Sequence, residues 1–256
     1  MASLIETVVR QAINTFTKTP GSAAFKENLD NLVHCVNQLT YNDVRFDRSL
    51  LVSSESRINR TRLPAPVTYS EICENDDVTI GIFILRPGAK LPLHDHPLMY
   101  GILKVIFGQI SIQSYTLVKK PNLETNVYPS NNVEVSGSSS SSDASSSSES
   151  SGYLYSDLPL LANKHPPTII TEADSCCVLT PTERNLHEIL TVDGPAAFVD
   201  ILAPPYFTDI PGIGPRQCLY FIEIGQESNL VKLKQVPSPP DYWNDFAPYS
   251  GPLVSI

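Results

Sequence analysis

The sequence predicts a mainly β fold, a sandwich or barrel preceded by helices. Two observations carry that prediction. Short runs of β-branched and aromatic residues recur from about Val78 onward, divided by Pro and Gly turns. Helical apolar spacing is confined to roughly the first 40 residues. At 256 residues and 41% hydrophobic content, the chain can bury one large core with appendages.

Taken in order, Met1 to Lys18 lacks the uninterrupted apolar centre of a secretory signal. It reads as an amphipathic helix with Leu4, Ile5, Val8, Ala12, Ile13 and Phe16 on one face. Arg10 and Lys18 are its only cations and Glu6 intrudes, so packing on the main domain is preferred over a mitochondrial transit peptide. A second helix is predicted over Phe25 to Leu39, from the spacing of Phe25, Leu29, Leu32, Val33, Val36 and Leu39. The expected division is a helical segment over 1–40, packed on a barrel domain over 41–256.

Val78 to Leu85 reads as a strand that stops at the turn Arg86-Pro87-Gly88. Lys104 to Phe107 and Gln109 to Val118 read as two strands meeting near Gly108. Thr168 to Ile170, Ser175 to Leu179, Leu186 to Thr191, Ala196 to Leu202 and Cys218 to Ile224 add further short strands. Ser136 to Ser151 is almost pure serine with a few acids, which cannot offset the entropy of ordering by burial. A disordered insertion in a surface loop, at about 130–152, is the expectation.

Charge and cysteine content narrow the function classes. A net charge of -9 with no basic stripe argues against nucleic-acid binding. No apolar run is long enough to cross a bilayer. Cys35, Cys73, Cys176, Cys177 and Cys218 form no CxxC pair and are odd in number, which fits a reducing cytoplasm. Nucleus and mitochondrion are the alternative compartments.

The chemistry concentrates in Pro87 to Pro97. Alternate strand residues share a face, so His94 and His96 can present two rings to one ion, and one more donor is needed. His34 falls in the second helix, and His165 in a loop without a partner at useful spacing. His187 lies where a turn enters a strand, and we take His94, His96 and His187 as one metal site. Val192-Asp193-Gly194-Pro195 has the Asp-Gly of a two-residue hairpin; if that is its tip, His187 faces Asp200 across the two strands. Asp200 interrupts an otherwise apolar strand, so it either pairs with a neighbour or does chemistry.

Gly88, His94-x-His96 and Gly108 together resemble the first motif of the cupin barrels, a jelly-roll-like double-stranded β-helix. Tyr100 and Gly101 stand where most metal-binding cupins carry a glutamate ligand. That departure is shared by the thiol dioxygenases. Within them the chain is most similar to the 2-aminoethanethiol (cysteamine) dioxygenase and plant cysteine oxidase group. The matching segments are His94-Asp95-His96-Pro97, Lys104-Val105 with Gly108, Asn185-Leu186-His187, Asp200-Ile201-Leu202-Ala203-Pro204-Pro205-Tyr206, Cys218-Leu219-Tyr220 and Asp241-Tyr242-Trp243. Leu98 departs from the group, where glycine commonly follows His-x-His-Pro.

The resemblance implies Fe(II) held by His94, His96 and His187, and addition of both atoms of O₂ to a thiol. The implied partners are cysteamine or a protein with a free N-terminal cysteine, and the implied state is a monomer. Asp200 would then lie near the substrate amine. Tyr206, stiffened by Pro204-Pro205, would aim its phenol at the pocket or stand as a wall residue. Cys218 and Tyr220, i and i+2 on one strand face, would lie beside the iron, where related enzymes can form a cysteine–tyrosine thioether. On the residues themselves two other readings stay open: another metal-dependent cupin enzyme acting on a non-thiol substrate, and a cupin that uses its metal only structurally.

Overall fold

The computed structural model describes residues 2–51, 64–118 and 159–254. The serine-rich stretch lies outside the described residues. Helix α1 (Leu4–Phe16) starts at Ser3, whose hydroxyl accepts the Glu6 N–H at 3.2 Å. Ser22 caps α2 (Ala23–Asn37) in the same way, accepting from the Phe25 N–H at 3.1 Å. Ile5, Val8, Val9 and Ala12 of α1 and Leu32 and Val36 of α2 are fully buried in one apolar layer. The predicted faces are therefore the packing faces, with Val9 added.

That layer covers the outer side of a six-stranded sheet. Its strands, edge to edge, are β15 (Asn244–Phe246), β1 (Val67–Glu74), β2 (Thr79–Leu85), β10 (Ala196–Ala203), β4 (Tyr100–Phe107) and β8 (Cys177–Leu179). A second sheet runs β6 (Leu160–Lys164), β14 (Leu230–Val236), β13 (Tyr220–Glu227), β3 (Lys90–Asp95), β9 (Leu186–Thr191), β5 (Gln109–Leu117) and β7 (Thr168–Thr171). β6 also pairs with β5, which closes six of these strands into a ring. A short ribbon, β11 (Asp209–Ile210) with β12 (Gly214–Pro215), follows β10.

Strand alternation then sorts the core into three layers. Ile80, Ile82, Ile102, Val199 and Ile201 face the helices. Leu85, Leu103, Val105 and Phe198 face inward, against Leu91, Ile110, Ile112 and Ile189 of the second sheet. Leu93, Tyr115, Leu186, Phe221 and Leu233 fill the inside of the ring. Lys104 is the one charged residue on the helix-facing side of β4. It is 2% exposed, and its ammonium donates to the carbonyls of Glu172 at 2.6 Å and Asp174 at 2.9 Å, so its charge ties down the turn after β7.

The architecture is the mainly β fold with two N-terminal helices that the sequence predicts. One expectation fails. The Asp193-Gly194 turn has positive φ at both residues, 52° and 144°, yet it does not close a hairpin. β9 pairs with β3 and β5, and β10 pairs with β2 and β4, so the two strands lie in opposite sheets. Asp200 therefore faces Gly81 and Leu103, not His187. Pro195 supplies the local reason: it lacks the N–H that would bond back to Val192. β10 supplies the tertiary one. Nearly all of its residues are buried, so it needs cover on both faces and takes a central place in the helix-covered sheet.

The β4–β5 junction depends on Gly108. Its φ is +70°, and a Cβ there would run into the Pro195 carbonyl oxygen. Gly108→Ala combines left-handed backbone strain with that collision, and should cost at least about 2 kcal/mol in equilibrium denaturation. A loss below about 0.5 kcal/mol would contradict this account of the turn.

Candidate metal centre

The metal residues sit where β3 and β9 run side by side. His94 is directly opposite His187, so their side chains share a face. The register shifts between Leu91 and His94, around Pro92, which has no N–H to contribute to a ladder. This irregularity turns His94 to the same side as Leu91, into the space between the sheets. His96 follows just beyond the strand, its N–H donating to the Asn185 carbonyl at 2.7 Å.

The three rings converge. Ring centroids are 4.8 Å apart for His94–His96 and His94–His187, and 4.7 Å for His96–His187. One ligand atom from each can be chosen so that all lie within 4.8 Å of one another. No other such group of three or more His, Cys, Asp or Glu side chains occurs among the described residues. Their exposures are 9% for His94, 2% for His96 and 9% for His187. His34 is elsewhere, bonded to Gln38 at 2.9 Å, and His165 is bonded to the Thr116 hydroxyl at 2.8 Å.

Neighbouring groups fix which ring nitrogen is free. The Pro92 carbonyl, 2.7 Å from His94 Nδ1, can only accept, so Nδ1 carries the proton and Nε2 keeps its lone pair. Tyr206 does the same for His96. Its hydroxyl donates to the Asp95 carbonyl at 2.5 Å and lies 3.0 Å from His96 Nδ1, from which it accepts. His96 Nε2 and His187 Nε2 are 3.1 Å apart. Nitrogens at about 2.1 Å from one ion, at a right angle, stand about 3 Å apart, so the spacing fits a shared cation.

Electrostatics agree. Burial pushes the His94 ring down to about 4, against the opposing Pro92 hydrogen bond. His96 and His187 are held well below the ordinary value by burial and then by neighbouring rings. Three neutral imidazoles are a metal-binding state, not a charged cluster.

Of the remaining predicted residues, Tyr206, Cys218 and Tyr220 adjoin this face, and Asp200 stands in the facing sheet. Asp200 shares the inward side of β10 with Phe198, beneath the Tyr69 ring that lies over Gly81. Burial raises its carboxyl to about 7, a backbone hydrogen bond at Ile201 opposing the shift. Tyr206 feels that carboxylate, although burial dominates its own upward shift. Tyr220 is opposite His94 in the single β3–β13 residue pair. Cys218 hydrogen-bonds with the side chains of both Tyr206 and Tyr220, and burial pushes its thiol up to about 12. Leu98 has φ of 55° and is 42% exposed at the rim. It holds a conformation that costs a residue with a Cβ about 1–2 kcal/mol.

Two buried residues went unread in the sequence. Asp95, between the two histidines, points away from them and accepts the Leu219 N–H at 2.8 Å, docking the segment before β13. The Arg216 guanidinium donates to the Pro97 carbonyl, bracing the loop after His96. Alternation around His-x-His could have marked Asp95 as facing the other way; nothing local marks Arg216.

Comparisons with known proteins come in on this geometry. Residues 35–254 match the family model described as PCO_ADO. The 2-aminoethanethiol dioxygenase of mouse (Mus musculus) is 35% identical, over 99% of this chain and 97% of that protein. The human (Homo sapiens) protein of the same name is 31% identical over the same shares, 99% and 97%. Plant cysteine oxidase 1 of Arabidopsis thaliana is 25% identical, over 85% of this chain and 64% of that protein.

The Asp200 shift carries a test. Its folded value, about 7, lies above the ordinary 3.8, so the folded state holds the proton more tightly. Its contribution to stability is thus lost as pH rises towards 7. The stability of Asp200→Asn relative to the parent, both metal-free, should increase by about 2–3 kcal/mol between about pH 5 and pH 8. Denaturant titration at the two pH values measures it; a difference that does not change with pH would show that Asp200 is not held in a dry site.

Proposed function

Starting from the fact that this chain belongs to the PCO_ADO family, we propose that it is a ferrous thiol dioxygenase acting on aminothiols. Its substrates are cysteamine, proteins with a free N-terminal cysteine, or both. The observation that carries this reading is the buried, neutral, three-imidazole face with two Nε2 atoms 3.1 Å apart. The names of the mouse, human and Arabidopsis relatives supply the reaction class. An all-nitrogen donor set suits iron as well as zinc, copper or nickel, and of these zinc has no redox chemistry to offer O₂. When bound by His94, His96 and His187, a ferrous ion would supply a redox-active centre through which the thiol sulfur gives four electrons to O₂, so that RSH and O₂ combine to RSO₂H.

The chain's own residues do the rest. Pro92 and Tyr206 hold His94 and His96 in the tautomer that presents Nε2. Asp200 offers a partly buried carboxylate, which favours a substrate carrying an ammonium two carbons from its sulfur. Bringing that ammonium in also favours the ionised carboxylate over the protonated one. Cys218 and Tyr220 line the wall beside Tyr206; burial keeps thiol and phenol protonated, so neither competes with substrate as an anion. The product sulfinic acid is beyond ordinary cellular reductants, so oxidation of an N-terminal cysteine would be a lasting record of oxygen supply. Five free cysteines accord with a reducing cytoplasmic setting, and no helix among the described residues is long and apolar enough to cross a membrane.

The test is reconstitution with Fe(II) under nitrogen, followed by O₂ with cysteamine, a Cys-initiated peptide and the N-acetylated peptide. Mass spectrometry should find two added oxygen atoms on the free-amine thiols. No oxygen uptake with any thiol would refute the reaction, and equal oxidation of the acetylated peptide would refute amine recognition. Tyr206→Phe removes the hydroxyl that orients His96, and should lower iron affinity or turnover by about 10- to 100-fold.

A further inference from the structure

His94, His96 and His187 occupy three corners of a square on the β3–β9 surface, and Asn185 occupies the fourth. His94 is opposite His187 and Asp95 is opposite Leu186. The His96 N–H bonded to the Asn185 carbonyl at 2.7 Å continues the same register by one residue. Opposed residues of antiparallel strands share a face, as do residues two apart on one strand. Asn185 therefore presents its side chain on the face that His187 and His96 use. Leu186 between them turns the other way, into the core with Leu93 and Tyr115.

The side chain at this corner is incomplete. Asn185 is 6% exposed. Its amide nitrogen donates to the Pro181 carbonyl at 3.4 Å, while its Oδ1 is buried with no hydrogen-bond partner among the described residues. A buried acceptor without a donor is costly, and native structures keep few of them. Two of the adjoining rings cannot help. His94 Nδ1 is committed to Pro92 and His96 Nδ1 to Tyr206, and their Nε2 atoms are themselves acceptors. The donor has to come from a bound molecule, either a water or a ligand.

We propose that Asn185 Oδ1 accepts a hydrogen bond from the ammonium group of the bound aminothiol, making Asn185 a residue that determines substrate specificity. The inference rests on the thiol dioxygenase reading and deepens it. A sulfur directed to the imidazole corners carries its amine two carbons away, a short and nearly fixed reach. An ammonium has three N–H donors, so satisfying Asn185 leaves two for other acceptors, the Asp200 carboxylate proposed above among them. The two residues then divide the work: Asp200 selects for positive charge, and Asn185 selects for a donor in one direction.

The test compares cysteamine with 1-propanethiol, its isostere without charge or N–H. Dissociation constants are measured anaerobically by calorimetry on Fe(II)-loaded protein, with iron content determined in every sample. In Asn185→Leu, cysteamine should bind about 10- to 100-fold more weakly, the range of a hydrogen bond to a charged group, while 1-propanethiol affinity stays within about twofold. Asn185→Ala replaces it if the leucine variant fails to hold iron. Cysteamine affinity unchanged in the variant overturns the proposal. So does an equal loss for both thiols, the result expected if Oδ1 only orients a water or supports the turn at Pro181. If the parent protein binds neither thiol, the dioxygenase reading itself fails and this inference falls with it.

Discussion

The pairing of β3 with β9 is the constraint on which the site depends. It sets His94 against His187 and His96 against Asn185, so two strands remote in sequence deliver four side chains to one patch. The irregularity at Pro92 is part of the same device. Leu91 and His94 are three apart yet both face inward, which a regular strand would not allow. A shift of one residue would bury Asp95 and Leu186 at the site and turn the rings into the ring-shaped core.

Around this patch the interior is dry, and dryness accounts for most of its electrostatics. The imidazoles are pushed towards neutrality, the Asp200 carboxyl towards protonation, and the Cys218 thiol away from ionisation, in each case first by burial. All three shifts favour the uncharged form, so these side chains add little net charge of their own. A metal dication and an ammonium entering it meet acceptors with few competing donors. The hydrogen bonds from His94 to Pro92 and from His96 through Tyr206 to Asp95 aim those acceptors inward without adding charge.

The helices serve the site at a distance. They cover the outer face of the sheet holding β10, which lets that strand be apolar on both sides and still carry Asp200 on the inner one. Lys104 pins the turn after β7, and the collision that Gly108 avoids keeps Pro195 close against the β4–β5 junction. Together they hold β10 in the sheet facing the histidines.

From the sequence alone, much was settled locally. Side-chain period marked both helices and most strands, and the i, i+2 spacing of His94 and His96 marked a metal face. Strands such as Val67–Glu74 and Leu230–Val236 were not predicted, because a half-polar run beside longer apolar ones gives a weak period. Which sheet each strand would join was a tertiary matter. Asp-Gly predicted a hairpin, but burial on both faces of β10, with proline in place of a needed N–H, carried that strand across to the opposite sheet. Asp200 thus stands in the facing sheet, opposite Gly81 and Leu103, and Asn185 takes the place opposite His96. Only the folded chain could decide this, because the chain code is local while register and sheet membership follow from which faces must be covered.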